Sequence, residues 1–306
     1  MTKLSGFYIE SLSVQGDGKR LGFVLTRRQS DIYLGRLEAG GTRLSPPRRL
    51  TLDDREDEPT GWTADSKAVI FSSDRNGTPD IFVQEIGKDF ASPLVVGPDN
   101  DSSPRQSPDG AWVLFNRISS NPRAKRLMRV PAGGGRPEEV MAVGARTMFE
   151  CGVVPGSPCV LEERVGKEVI VSLLDPARGK GRELFRAEYL NNADITGDGK
   201  RLAMQVERNR IRVVSLDGKT EREVVVEGVS AVRSLAWAAD GKGFYTGSFA
   251  PPNSETLLYV DLRGKARELW RQARSSPMWA VPSPDGKYLA IRAETRDSNV
   301  WTLEDF

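Results

Sequence analysis

Histidine is absent from the sequence. That removes Ser-His-Asp and Cys-His nucleophilic catalysis, histidine-ligated metal centres and imidazole acid–base chemistry. It also removes the His-Arg-Asp catalytic loop of protein kinases. Cysteine is scarce: Cys151 and Cys159 are the whole complement and cannot build a four-thiolate zinc site. No apolar run approaches the roughly 18–20 residues of a membrane span. The first residues, Met1 to Gly6, lack the apolar core of a signal peptide. Charge of one sign is not in excess, since 44 basic and 42 acidic residues leave +2, so nothing points to nucleic acid. These absences leave the compartment open: cytoplasmic by default, extracytoplasmic if the chain is a fragment of a membrane-anchored parent.

What is present is a repeat. A short turn motif recurs as QGDGK at 15–19, TADSK at 63–67, SPDGA at 107–111, TGDGK at 196–200, AADGK at 238–242 and SPDGK at 283–287. The aspartates stand at 17, 65, 109, 198, 240 and 285, and the one long gap is about twice the others. A degenerate copy, VPGSP at 154–158, fills its middle with Gly156 in the aspartate position. Seven units of about 45 residues therefore fill the chain, the period of a four-stranded propeller blade.

Each unit carries the same order of signals. A short apolar segment enters an Asp-Gly turn, which closes a tight hairpin. A second strand follows, as in RLGFVL at 20–25, AVIFS at 68–72 or YLAIR at 288–292. A third comes after a polar loop, as in DIYLGRL at 31–37, DIFVQEI at 80–86 and NVWTL at 299–303, and a short fourth closes the unit. β-Branched and aromatic residues dominate these runs, and no window has a helical period. The expectation is all-β: one domain over 1–306, a seven-bladed propeller of four-stranded antiparallel blades. The fourth unit, 145–186, is expected to be the least regular. The chain stops after the third strand of its last unit, so Thr2–Leu4 are expected to supply a short closing strand.

The motif W-[ST]-x-D-[GS]-K followed by S-D-R-x-G-x-x-D-I-[YF] resembles TolB-type propeller repeats. The second unit shows it most fully, with Trp62, Asp65, Lys67, Ser73-Asp74-Arg75-Asn76-Gly77 and Asp80-Ile81-Phe82. The ending SPDGKYLAIRAETRDSNVWTLEDF is similar to propeller regions attached to bacterial Ser/Thr protein kinases or winged-helix regulators. The resemblance implies a non-catalytic recognition or scaffold module, a sensor or interaction part of a signalling protein. Two other implied readings are the accessory propeller of a prolyl oligopeptidase-like peptidase and a periplasmic TolB-like envelope partner.

Several residues invite chemistry and have a plainer reading. The turn aspartates lack the alternating oxygens of a calcium loop and serve the turn. Gly133-Gly134-Gly135 has no following Gly-Lys-Ser/Thr, so it is a loose connection and not a phosphate loop. Asp194 with Asp198, or Glu162 with Glu163, read as solvated or turn-forming groups, not as acid–base pairs. Cys151 and Cys159 flank the degenerate turn on neighbouring strands. They read first as two small buried thiols, with a disulfide the geometrical alternative. No catalytic residue, cofactor or metal is expected.

Binding is expected on loops, because strand side chains are used between blades. Loops joining second and third strands are rich in arginine (Arg27, Arg75, Arg117), and the blade links carry Asp53, Asp54, Glu56, Asp57, Asp99 and Asp101. The plainer reading is a set of arginine braces. The functional reading is a docking surface at the channel mouth for a protein or peptide, with a small ligand as an alternative. Its candidates are Glu10, Glu58, Asp101, Asn191, Arg233 and Trp279.

Overall fold

A computed structural model describes residues 7–120, 123–188, 192–250, 254–273 and 275–304. These residues form 26 strands and no helix, so no helix crosses a membrane. Asn191 and Thr2–Leu4 lie outside the described residues.

Five sheets are four-stranded antiparallel meanders. Sheet I comprises Asp57–Trp62, Ala68–Ser73, Asp80–Glu85 and Ser92–Val95. Sheet II comprises Asn100–Gln106, Trp112–Ser120, Arg123–Pro131 and Glu138–Val143. Sheet III comprises Thr147–Cys151, Cys159–Val165, Glu168–Asp175 and Gly179–Ala187. Sheet IV comprises Ala193–Ile195, Arg201–Glu207, Arg210–Ser215 and Thr220–Val225. Sheet V comprises Ala236–Trp237, Gly243–Ala250, Ser254–Asp261 and Ala266–Ala273.

The aspartate of each turn is consumed locally. Its Oδ1 accepts the backbone N–H two residues on, at 3.0–3.1 Å for Asp17, Asp65, Asp109, Asp198, Asp240 and Asp285. The next residue must enter the left-handed region, with φ +73° at Gly110 and +68° at Gly286, where glycine bears no Cβ penalty. The tryptophan three residues before the aspartate ties sheets together. Trp62 Nε1 donates to Val281 O at 2.9 Å, and Trp237 Nε1 donates to Asp194 O at 3.0 Å.

Apolar clusters lie between neighbouring sheets. Ile70 and Ile81 meet Val113 and Phe115 between I and II. Leu114 and Leu127 meet Phe149 and Leu161 between II and III. Val160 and Val171 meet Leu202 and Met204 between III and IV. Ala203 and Val213 meet Trp237 and Phe244 between IV and V. Each sheet buries both faces, which explains strands such as Ala68–Ser73 that are apolar without alternation.

The first and last repeats depart from the expected pattern. Their second and third strands do not fold back as hairpins; Arg20–Glu38 and Tyr288–Glu304 run straight and pair with each other from Arg20↔Glu304 to Arg36↔Tyr288. Together with Phe7–Val14, Ser275–Pro282, Arg43–Leu44 and Arg48–Arg49 they make one six-stranded sheet, sheet VI. Its ring half packs Leu37, Leu289 and Ile291 on sheet V and Ile32, Leu34 and Ala290 on sheet I, closing the ring. Its other half, residues 7–14, 20–28 and 296–304, projects beyond the ring. Seven repeats are thus distributed over six sheets. The loops TRRQS at 26–30 and AETRDS at 293–298 contain no glycine or proline to enforce a reversal, and the long pairing keeps their backbone hydrogen-bonded.

The fourth repeat, expected to be irregular, is a complete sheet. Its turn uses Gly156 at φ +83°, and the hairpin is tied by a Cys151–Cys159 disulfide. The two cysteines are direct cross-strand partners with Cα atoms 4.0 Å apart. The expectation of two free thiols is corrected by that register.

Candidate functional site

The inner strands of the sheets surround a channel. Its wider part is a cavity of about 360 Å3 that gathers side chains from all of the sheets' inner edges: Pro59, Arg105, Glu150, Asp194, Arg233 and Trp279 among them. A narrower space of about 50 Å3 continues toward the Asp-Gly turns and shares Thr60, Arg105, Val281 and Pro282 with it. Antiparallel geometry explains the selection. Counting back from each turn aspartate, or from Gly156, the residue four before it is Arg105, Asp194, Ala236 or Val281. The residue six before it is Pro59, Glu150, Asn192, Ser234 or Trp279. These positions are two apart and share one side of the strand.

Electrostatics concentrate on one wall. Arg105 donates to Glu150 Oε1 at 2.8 Å and to Thr60 O at 2.8 Å, joining three inner strands. Glu150 is buried, and that burial raises its carboxyl well above the usual range; the nearby Asp194 and Glu162 add to this, against the opposing Arg105 charge. Asp194 is pushed up to about 6 by burial, opposed by Arg105 and by the N–H groups of Trp237 and Ile195. Its Oδ2 accepts the Trp237 backbone N–H at 2.7 Å, so it also links sheets IV and V.

Of the six expected site residues, the structure brings Arg233 and Trp279 into the cavity. Arg233 is exposed at the mouth. Trp279 is half-buried, with Nε1 donating to Pro59 O at 2.9 Å and its ring under the Arg292 guanidinium at 4.5 Å. Glu58 approaches the same place through Arg292, 3.8 Å away, and burial raises its carboxyl despite that cation. Asp101 is fully buried and accepts two bonds from Arg117, at 2.8 and 2.7 Å. Its carboxylate is an internal brace with no surface to offer. Glu10 lies at a bulge in Phe7–Val14, in the projecting half of sheet VI, and not beside the channel. Asn191 is outside the described residues; its neighbour Asn192 lines the cavity and donates to Gln205 Oε1 at 2.6 Å.

The arginine braces are present. Arg75 reaches Asp53 at 3.0 Å and Asp57 at 3.1 Å while lying over the Phe82 ring, and Arg27 reaches Asp54 at 2.8 Å. Burial pushes Asp57 up to about 6 even so, with Ser73 and Arg75 opposing and Asp53 adding to the rise. Arg105, Glu150 and Arg292 carry no expectation from the sequence. The solvated or turn-forming reading of Asp194 and Glu162 is corrected: Glu162 is buried, Asp194 accepts the Trp237 N–H, and both line the cavity. The count back from the turn finds Arg105, Glu150 and Asp194; Arg292 lies seven residues after Asp285 on the following strand, and no local signal marks it. Among the described residues no group of three or more acidic or thiol side chains is placed to hold a metal ion.

No family model matches the sequence. A protein of Agrobacterium fabrum described only as uncharacterized is 30% identical over 80 residues, 26% of this chain and 27% of that one. The match therefore spans about a quarter of either chain. Solved structures resemble it over far more of its length. One described as a TolB of Agrobacterium tumefaciens aligns over 87% of this chain and 98% of that one, with 15% identity and a TM-score of 0.66. TolB of Acinetobacter baumannii aligns over 92% of this chain and 68% of that one, with 14% identity and a TM-score of 0.61. A chain of a nidogen/laminin complex aligns over 87% and 98%, with 12% identity and a TM-score of 0.58. At these identities the likeness concerns architecture: the chain has the fold of the TolB-type β-propellers.

Proposed function

We propose that this chain is a non-catalytic recognition module that binds a protein or peptide at the channel mouth bearing Arg233 and Trp279. The observation that carries this is the cavity itself. The sheets use their strand side chains against one another, and the arginine braces use the link acids. What is left converging on one concave space is an aromatic ring, an exposed guanidinium and a polar wall. Aromatics and arginine are favoured where partners bind. One propeller of the same architecture was solved in a complex of nidogen with laminin, which supports a protein partner by analogy. Both signs of charge line the mouth, so binding should weaken modestly with salt.

The test is a peptide display library panned on the purified chain, with affinities measured for the selected peptides. Trp279→Ala and Arg233→Ala should each weaken them about tenfold or more, the range of an interface anchor. Lys200→Ala, on the turn face, should leave them unchanged. Peptides that bind both cavity variants as well as the parent would overturn the reading, as would turnover of a peptide, ester or nucleotide abolished by one substitution.

The Cys151–Cys159 disulfide favours the TolB-like envelope reading over a cytosolic signalling role, because such bonds persist in oxidising compartments. Protein recovered from its native host under alkylating conditions should carry no label on either cysteine. Full labelling of both would remove this support.

A further inference from the structure

The projecting half of sheet VI has no counterpart in sheets I to V. Side chains directly opposite in antiparallel strands share a face, so the register sorts this three-stranded region into two surfaces. One carries the row Leu12, Phe23, Trp301 and beside it the row Val14, Leu21, Leu303. Four of these six are widely exposed: Leu12 at 59%, Val14 at 55%, Trp301 at 53% and Leu303 at 48%. The reverse surface carries Ser13, Gly22 and Thr302, then Ser11 with Val24 and Val300. A ring sheet here is apolar on both faces; the projection is wholly apolar in these two rows and mixed on the reverse, where small polar residues stand beside Val24 and Val300, the latter 78% exposed. That pattern belongs to a sheet covered on one side and wetted on the other, the half of a two-layer sandwich.

We propose that this apolar face is a self-association surface, covered in solution by the same face of a second copy related by a two-fold axis. The two rows contain no charged residue, so a copy brings no like charge against them. The charges nearest their edges are satisfied within the chain, Arg20 by Glu304 at 3.1 Å and Arg27 by Asp54 at 2.8 Å. Continuity also points to another sheet as the occupant: the same two strands, further along, lay Leu37, Leu289 and Ile291 against sheet V. An identical face meets these requirements, and self-complementary two-fold contacts are the commonest oligomer type. Three strands by about seven residues make a contact burying on the order of 1,000 Å2 between two copies. That is the size of a weak, concentration-dependent dimer.

The experiment is sedimentation velocity with light scattering, from about 1 to about 100 µM, a range that brackets a weak contact. The mass should rise from 33.7 kDa toward twice that value. The double variant Leu12→Asp, Trp301→Asp should stay monomeric throughout while keeping the parent's circular dichroism. A parent that is monomeric at the highest concentration overturns the proposal, and so does a double variant that still dimerises. A second readout distinguishes the reason. Thr26 and Ser298 face each other across the long pairing, with Oγ atoms 2.9 Å apart, so Thr26→Cys, Ser298→Cys should form a disulfide within one chain. Failure to do so, with Trp301 emitting as a buried indole, would show both hairpins closed into a separate seventh sheet and no such face to associate.

Discussion

The strands Arg20–Glu38 and Tyr288–Glu304 each live in two environments, and comparing their halves is instructive. Ile32 and Ile291, in the ring half, are completely buried between sheets V and I. Trp301 and Leu303, in the projecting half of the same pairing, are about half exposed. Hydrogen bonding is continuous along both halves, and the residue types are alike. Backbone pairing therefore does not distinguish the core from the projection. Stability resides in what stacks on the sheet: two neighbours in the ring, and among the described residues none over the outer rows of the projection, although Leu25 and Thr26 beside the ring are buried.

Substitutions can break that comparison. The largest difference is expected between Phe115→Ala, in the cluster between sheets I and II, and Trp301→Ala. A fully buried phenylalanine truncated to alanine costs about 3–5 kcal/mol, against under about 1 kcal/mol for the exposed tryptophan. Denaturant titration of the two variants reads this directly; equal losses would mean that the projecting half is packed like the ring.

Arg117→Ala should follow, since it strands the buried Asp101 carboxylate without its two bonds. About 3 kcal/mol is expected, and Asp101→Asn, Arg117→Met together should recover part of it, because a neutral pair leaves no isolated charge. If Arg117→Ala is neutral in thermal unfolding, the brace is a surface contact of small worth.

The disulfide sharpens the contrast between a ring hairpin that has an Asp-Gly turn and one that does not. Cys151→Ser with Cys159→Ser opens a short loop, and loop entropy sets the loss at about 2–3 kcal/mol. Calorimetry of the double variant, or of the parent under reductant, should show it. An unchanged midpoint would mean that the VPGSP turn holds the hairpin by itself.

An effect of about this size, and no larger, is expected on pH. Asp194 has its folded pKa raised to about 6 by burial, against about 3.9 unfolded. Its proton favours the folded state, so this stability is complete below pH about 4 and is lost as pH rises through about 6. Asp194→Asn keeps a neutral side chain and an acceptor for the Trp237 N–H at every pH. The variant should exceed the parent by on the order of 2–3 kcal/mol at neutral pH and match it near pH 4. Parallel melting profiles across that window would contradict the raised pKa.

Much of the ring was legible because the turn chemistry is local. An aspartate that must accept the N–H two residues on, and a glycine that must take positive φ, announce a hairpin wherever they occur. The tryptophan of the motif was legible only as a mark of the repeat, not as a group that would reach Val281 across the ring closure. Of the cavity lining, Arg233 and Trp279 were legible from their place in the blade links. Asp101 was not, since an acidic link residue reads the same whether a neighbouring arginine consumes it or it faces solvent. Glu10 was misplaced for another reason: its position rested on the first repeat behaving like the rest.

The sequence by itself determined the period, the strand type and the hairpin turns, all of which depend on residues within a few positions of one another. The tertiary structure decided how seven repeats share six sheets, that the two cysteines meet, and which carboxylates line the channel. Those outcomes depend on pairings between residues up to 284 positions apart, as between Arg20 and Glu304. A hairpin closed on itself and a strand paired with a distant partner satisfy the same backbone hydrogen bonds. Only the packing of side chains from the neighbouring sheets separates the two.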